Sequence, residues 1–321
     1  MRRTLFLHAV LCVAAAAAAA ACAKEQKAAD STAGKTSAAT TAATAATADK
    51  IGETSGMKVP ESVRYDAELD VFYVSNINGN PSQKDNNGFI ARVRADSTNV
   101  VTTLVEGGKK GVALNAPKGI ALKGDTLYVA DIDALREFNR RSGALIRSVS
   151  LAAQKATFLN DVAVGGDGAI YITDTGIVFD AKGGMTHPGV NRIFKVVGTT
   201  VSEAAKGDSL NNPNGITWDA AGSRFVLAPF GGPNVQTWTP GQNPATLASG
   251  PGQYDGVEVL SSGNILVSSW ADSAVHVVRG STMTTLVKNV SAPADIGVDT
   301  KRNVLAVPRF NDGKVEYFKI P

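Results

Sequence analysis

Residues 159–174, LNDVAVGGDGAIYITD, contain the pattern that decides the fold. The polar residue Asn160 is followed by a short run that alternates small and apolar residues, by a glycine-rich turn at 165–168 and by a second apolar run. The glycines and Asp167 suit the positive φ angles of a tight hairpin. The stretch therefore predicts two antiparallel β-strands joined by a short turn.

The same order of residues returns five more times along the chain. The other copies are PESVRYD…VFYVSN from 60, PKGIALKGDTLYVAD from 117, PNGITWDAAGSRFVLA from 213, YDGVEVLSSGNILVSS from 254 and PADIGVDTKRNVLAVP from 293. They recur every ~40 to 57 residues, which is typical of propeller blades. No strand alternates with a long helical pattern, which argues against a parallel α/β sheet. We therefore predict an all-β, six-bladed β-propeller, with four-stranded antiparallel blades around a central channel.

The third strands of the blades follow as further apolar runs. They are expected near residues 89–93, 135–138, 192–197, 235–238, 275–278 and 315–318. The last copy ends at Phe318 and leaves no room for a fourth strand. A strand from the N-terminal side, within residues 51–58, would close the ring and remove the exposed sheet edges. The alternative is a last blade of three strands.

The first 22 residues resemble an export signal. Arg2 and Arg3 precede an uncharged apolar run that ends in small residues before Cys22. A membrane-spanning helix is the alternative for this run, but alanine is only weakly apolar. The Cys22–Ala23 pair resembles a bacterial lipoprotein signal, so lipidation of Cys22 is the expected membrane anchor. The protein is then a periplasmic or cell-envelope lipoprotein, and soluble secretion is the alternative.

The segment from 23 to 56 is rich in Ala, Thr and Ser and has almost no large apolar residues. Such a composition cannot bury enough surface to order itself, so we predict a flexible tether. Residues 57–321 are left for the propeller. Both cysteines, Cys12 and Cys22, lie in the leader, so the domain itself has no disulfide.

The charge balance of the chain bears on its partners. Without Arg2 and Arg3, about 30 basic residues face 29 acidic ones. Because basic clusters are also absent from the sequence, nucleic acid is not expected as a partner.

The repeats place one residue of each copy at the start of an innermost strand, facing the channel. These anchor residues are Glu61, Lys118, Asn160, Asn214, Asp255 and Ala294. Carboxylate and amide oxygens suit a hard divalent cation, most of all Ca²⁺, with Mg²⁺, Mn²⁺ or Zn²⁺ as alternatives. The competing interpretation is that Asn and Asp merely form turns before glycine. The loops at 76–88, 175–191 and 229–233 lie at the same face and are expected to wall a substrate pocket.

The motifs P-E-S-V, L-N-D-V, N-P-N-G-I and Y-D-G-V resemble those of the senescence-marker-protein/gluconolactonase family. These six-bladed propellers are distantly related to diisopropyl fluorophosphatase and paraoxonase, and the resemblance covers about residues 58 to 320. It implies that Glu61, Asn214 and Asp255 bind a divalent metal. It also implies that Asn160 contacts substrate or metal, and that Asp255 acts as acid, base or nucleophile.

Two positions depart from the family pattern. Phe158 stands where gluconolactonases have an arginine that grips the sugar lactone, which leaves room for a more apolar lactone, ester or phosphotriester. At the second anchor, Lys118 is expected either to bind substrate, to pair with Glu61 or Asp255, or to take the place of a cation. A lysine that leans out to solvent is the alternative. Asp295, one position after the sixth anchor, either faces the channel or caps its own turn.

Together these features predict a divalent-metal-dependent hydrolase of a lactone or ester, with Asp255 as the catalytic residue and a small molecule as substrate. The first alternative is a non-catalytic, envelope-anchored propeller that binds a peptide, glycan or protein and keeps a structural metal. The second is a metal-free propeller resembling strictosidine synthase, against which the set of oxygen-bearing anchors argues.

Overall fold

The computed structural model describes residues 47–321 of the chain. They form six four-stranded antiparallel sheets, placed in a ring as propeller blades, and one small two-stranded hairpin. The helical elements of this range are two 3₁₀ turns, Ala152–Gln154 and Asp208–Leu210. No helix among residues 47–321 is long and apolar enough to cross a membrane. The predicted all-β six-bladed propeller is confirmed.

The N-terminal strand β1 (Asp49–Ser55) precedes the first blade. The first three blades, in chain order, are β2 (Pro60–Asp66), β3 (Val71–Asn76), β4 (Phe89–Arg94) and β5 (Val101–Glu106); β6 (Pro117–Lys123), β7 (Thr126–Asp131), β8 (Ala134–Asn139) and β9 (Leu145–Ser150); and β10 (Leu159–Val164), β11 (Ile170–Asp174), β14 (Arg192–Val197) and β15 (Thr200–Lys206). Between β11 and β14 lies the hairpin of β12 (Val178–Phe179) and β13 (Met185–Thr186).

The remaining strands build blades four to six. They are β16 (Pro213–Asp219), β17 (Arg224–Pro229), β18 (Asn234–Trp238) and β19 (Ala245–Ser249); β20 (Tyr254–Val259), β21 (Ile265–Ser269), β22 (Ala274–Arg279) and β23 (Thr282–Val287); and β24 (Gly297–Asp299), β25 (Val304–Arg309) and β26 (Lys314–Lys319). All six predicted third strands are present within one or two residues of their expected bounds.

The sixth blade is completed by β1, which pairs antiparallel with β26 from Asp49↔Lys319 to Ser55↔Lys314. The predicted closure of the ring by an N-terminal strand is therefore confirmed, two residues earlier than expected. Seven residues of the predicted tether belong to the propeller as a result. The predicted signal peptide at 1–22, the anchor at Cys22 and the tether up to residue 46 lie outside the described residues.

The hydrophobic core is divided among the gaps between neighbouring blades. Each gap holds one cluster of buried apolar side chains, from the cluster around Phe72 and Tyr317 between the last and first blades to the cluster around Phe225 and Trp238 between the third and fourth. Because every blade is packed on both faces, the polar residues of the inner strands are directed toward the axis.

The innermost strand of each of the first five blades is irregular where its anchor lies. Its pairing with the second strand shifts register between 60 and 63, 117 and 120, 159 and 162, 213 and 215, and 254 and 257. Such β-bulges redirect side chains away from the regular alternation of a strand. The anchors at these bulges therefore face the channel instead of packing between blades.

The closing strand is fixed by an ionic cluster at Glu316 on β26. Its carboxylate accepts bonds from Lys50 Nζ of β1 at 2.7 Å, Lys314 Nζ at 3.0 Å and Arg309 Nη1 at 2.9 Å. Burial raises the pKa of Glu316, but hydrogen bonds from these three side chains outweigh it and lower the pKa to about 2. The charged carboxylate is thus favoured by the folded state.

We expect Glu316→Gln to lower the free energy of unfolding by about 2 kcal/mol at pH 7, because three charged hydrogen bonds lose their acceptor charge. This contribution is present above the ordinary pKa of 4.5 and is lost as the pH falls toward 2. Urea denaturation should therefore show a difference in the free energy of unfolding between wild type and variant that is smaller at pH 3 than at pH 7. Asp208→Asn, an exposed acid-to-amide change outside this cluster, is the control. An equal difference in the free energy of unfolding at both pH values would contradict this role of the Glu316 charge.

Candidate functional site

A cavity of about 490 Å³ lies at the channel end where the inner strands begin. The five polar anchors line it together: Glu61, Lys118, Asn160, Asn214 and Asp255. They come from five different blades and are all at least nine-tenths buried. The structure therefore brings together every site residue predicted from the sequence. The sixth anchor is Ala294, which contributes no polar group.

The three predicted loops contribute to the walls of the cavity, together with Phe158, Trp270 and Phe310. Ile77 and Pro81 follow β3, Ile177 and Phe179 follow β11, and Phe230 follows β17. A second cavity of about 510 Å³ adjoins the first and shares four of its lining residues, which are Ile177, Met185, Phe230 and Gln253. The pocket is therefore an elongated cleft, and the five polar anchors form its floor.

Three oxygen atoms on this floor have no hydrogen-bond partner although they are buried. They are Glu61 Oε2, Asn160 Oδ1 and Asp255 Oδ1. The other polar atom of two of these groups is held in place: Asn160 Nδ2 donates to Thr175 Oγ1 at 3.0 Å, and Asp255 Oδ2 accepts from the Trp270 indole at 2.9 Å. The unpaired oxygens are therefore free for a ligand in the cavity.

In the absence of a cation, ionising the two floor carboxyl groups costs free energy. Burial raises the pKa of Glu61 well above its ordinary range, and the charges of Asp255 and Asp295 raise it further. Burial and then Asp295 also raise the pKa of Asp255, while hydrogen bonds from Trp270 and Asn214 lower it in part. A bound positive charge would reverse these penalties.

The donor set fits a hard divalent cation. Unpaired oxygens of two carboxylates and one amide, with the amide of Asn214 beside Asp255, are the groups that Ca²⁺ prefers. Among residues 47–321 no group of three or more His, Cys, Asp or Glu side chains is arranged to hold a metal. Two of the four oxygen-bearing floor residues are asparagine, which such a group does not include. Softer metals that need cysteine or histidine fit it poorly.

Lys118 points inward and is 1% exposed, so the alternative in which it leans out to solvent is wrong. Its Nζ donates to the carbonyl oxygens of Pro81 and Ala116, each at 3.1 Å, and lies 4.1 Å from the centroid of the Phe158 ring. Burial lowers the pKa of the ammonium to about 8, against the pull of Glu61. Its three donor directions are thus occupied within the protein.

A second polar layer lies directly behind the floor. Asp295 Oδ2 accepts from Ser62 Oγ at 2.5 Å and lies 3.7 Å from Arg64 Nη2, and Arg64 also pairs with Glu258. Asp161 Oδ2 accepts from the backbone N–H of Ile216 at 2.8 Å. Asp295 therefore faces the channel and bonds across blades. It does not cap its own turn.

Three functional neighbours of the anchors were not singled out by the sequence. Trp270 and Thr175 orient Asp255 and Asn160. Thr173 Oγ1 accepts from the backbone N–H of Asp161 at 2.9 Å and donates to the carbonyl of Asn214 at 2.6 Å. Thr173 thus ties the third anchor to the fourth. Hydroxyl residues at the end of the second strand, as in VSN, ITD and VSS, are the signal that marks this role in the first, third and fifth copies.

Comparisons with known proteins agree with this architecture. A family model described as SMP-30/Gluconolactonase/LRE-like region matches residues 59–300. A calcium-binding protein, regucalcin, from Agrobacterium tumefaciens str. C58 has a TM-score of 0.64 at 15% identity, covering 86% of this chain and 96% of that chain. A gluconolactonase from Xanthomonas campestris has a TM-score of 0.61 at 15% identity, covering 83% and 88%. A search of curated protein sequences returned no match. At these identities the structural likeness shows the fold.

We expect cation binding at the floor to release protons, because burial raises the pKa of Glu61 and Asp255 in the free protein. Titration calorimetry with CaCl₂ in two buffers of different ionisation enthalpy measures this directly. The heat should differ between buffers, and the affinity should rise with pH. Equal heats in both buffers would contradict the raised pKa values.

We expect Thr173→Val to lower the free energy of unfolding by about 3 kcal/mol, because a buried N–H and a buried carbonyl lose their partner. It should also weaken Ca²⁺ binding about tenfold, since the third and fourth anchors lose their link. Thr173→Ser keeps the hydroxyl and is the matched control. Denaturation and calorimetry on both variants provide the readouts, and a Val variant that matches the Ser variant would contradict this role.

Proposed function

The chain belongs to the SMP-30/gluconolactonase/LRE-like family, whose model matches residues 59–300, and we propose that it is a divalent-metal-dependent hydrolase of lactones or esters. A gluconolactonase and a calcium-binding regucalcin among its structural neighbours support the reaction and the ion. The observation that carries the proposal is the convergence of three buried, unpaired oxygens of Glu61, Asn160 and Asp255 on one cavity.

The floor residues divide the work as follows. A bound divalent cation supplies a Lewis acid that polarises the substrate carbonyl and stabilises negative charge on its oxygen. Glu61, Asn214 and Asp255 would hold that cation, and Asn160 would contact the cation or the substrate. Lys118 donates its hydrogen bonds to the backbone, so it acts on the substrate through its charge.

Asp255 moves the proton in this proposal. Its Oδ1 faces the cavity while the Trp270 indole donates to Oδ2, which fixes the orientation of the carboxylate. The water oxygen bonds to the carbonyl carbon and the bond from that carbon to the ester oxygen breaks. One proton of the water passes through Asp255 to the leaving oxygen, so a carboxylic acid and an alcohol are formed.

A second candidate is a propeller that binds its metal and a partner without catalysis. Phe158 favours it, because it removes the charged group with which relatives of the gluconolactonase type would grip a sugar lactone. This candidate predicts a melting temperature that rises with Ca²⁺ and no turnover of any lactone or ester.

We expect Asp255→Asn to reduce hydrolysis about a thousandfold or more and to weaken Ca²⁺ binding, because it removes both the proton carrier and a ligand charge. The assay is a pH-indicator measurement on a panel of lactones and aryl esters, with Ca²⁺, Mg²⁺, Mn²⁺ or Zn²⁺ added. Asp208→Asn, an exposed acid-to-amide change, is the control. A fully active Asp255→Asn protein would overturn the mechanism, and absence of turnover with intact metal binding would favour the second candidate.

A further inference from the structure

The walls of the cavity are aromatic on two sides. Phe158 and Phe179 form one wall, with ring centroids 5.8 Å apart. Phe230, Trp270 and Phe310 form the other, with centroids 5.9 Å and 5.4 Å apart. Aromatic faces of this kind bind planar or aliphatic groups and offer few hydrogen bonds to hydroxyls.

The polar groups near these walls are already used. The Lys118 ammonium donates to two backbone carbonyls, and the Trp270 indole donates to Asp255. Thr175 Oγ1 donates to the carbonyl of Pro213 at 2.8 Å and accepts from Asn160. Above the floor, the other polar side chains that line the cavity within residues 47–321 are Gln253 and Asn311. A polyhydroxylated ring would therefore bury several hydroxyls without partners.

Phe179, one of the two rings of the first wall, is carried by the β12–β13 hairpin, which reaches from the third blade to the first. Asn80 Nδ2 donates to the carbonyl of Asp180 at 2.7 Å, and the backbone N–H of Phe179 donates to Ser82 Oγ at 2.9 Å. These two bonds bind the hairpin to the loop after β3, across the second blade. Phe179 is thus held over the cavity by a tertiary contact.

We infer that the site takes lactones or esters with an apolar aryl or alkyl substituent, and that Phe158 selects them over polyhydroxylated sugar lactones. This inference rests on the proposed hydrolase function. The carbonyl of such a substrate meets the polar floor, and its apolar ring lies between the two aromatic walls. The adjoining cavity of about 510 Å³ leaves room for a longer substituent.

The test compares dihydrocoumarin and δ-decalactone with δ-gluconolactone on the Ca²⁺-loaded protein, by kcat/KM. We expect the apolar substrates to be preferred by about a hundredfold or more, because hydroxyls that lack partners are rejected by an apolar pocket. Phe158→Ala should lower kcat/KM for dihydrocoumarin about tenfold, mainly through KM, and by a clearly larger factor than for γ-butyrolactone, which is too small to span both walls. Ile146→Ala, on an exposed strand of the second blade, is the control.

The outcomes separate this inference from the proposed function. Preference for δ-gluconolactone would overturn the inference while the hydrolase function stands. If nothing is hydrolysed, calorimetry with two stable lactams decides: dihydroquinolinone, the analogue of dihydrocoumarin, and gluconolactam. Binding of dihydroquinolinone alone would support apolar selection and overturn the hydrolase, whereas binding of gluconolactam alone, or of neither, would overturn both.

Discussion

The site depends on the β-bulge that begins the innermost strand of each of the first five blades. At each bulge the regular pairing with the second strand is broken, so the anchor side chain turns to the axis. The freed backbone groups still need partners because they are buried. Hydroxyls of the second strand supply them, as Ser75 does for Ser62, Thr173 for Asp161 and Ser268 for Gly256. Gly215 follows the anchor Asn214, and a Cβ at this position would lie 2.2 Å from the carbonyl oxygen of Asp255. The fourth and fifth inner strands can therefore approach this closely only because residue 215 is glycine.

The charges on the axis form a graded set. Glu61 and Asp255 at the floor have no ion-pair partner among residues 47–321, while Asp295 in the layer behind has Arg64. Lys118 is buried at the floor and donates its hydrogen bonds to backbone oxygens. Its positive charge therefore acts on the floor without forming a salt bridge. The result is a floor with two carboxyl groups that lack an ion-pair partner among residues 47–321, below a cavity with aromatic walls. This combination suits a divalent cation below and an apolar ligand above.

The sequence alone was sufficient for the blades, the ring closure and the five polar residues of the floor, because each of these repeats with a fixed pattern. It was insufficient for the direction of Lys118, since a lysine at a channel rim can turn either way until the loop carrying Pro81 covers it. Trp270 directly follows β21, as Phe230 follows β17 and Phe310 follows β25, but the hydrogen bond from its indole to Asp255 has no signal in the sequence. Phe179 reaches the cavity only because its hairpin binds the loop after β3. The direction of a loop side chain depends on which other loops pack against it, so these contacts are visible only in three dimensions.

The pairing of β1 with β26 sets an order of events for the folding chain. Lys50 and Glu316 meet across 266 positions of sequence, so the contact has a high loop-closure cost and cannot precede the arrival of nearly the whole domain. Until then β26 is a bare sheet edge, open to any other strand, and β1 is an unpaired segment. The pairing of β1 with β26 also makes unfolding of the ring cooperative, because neither the first nor the last blade can unfold without breaking it. β1 is therefore the first of these strands to be synthesised and the last to pair.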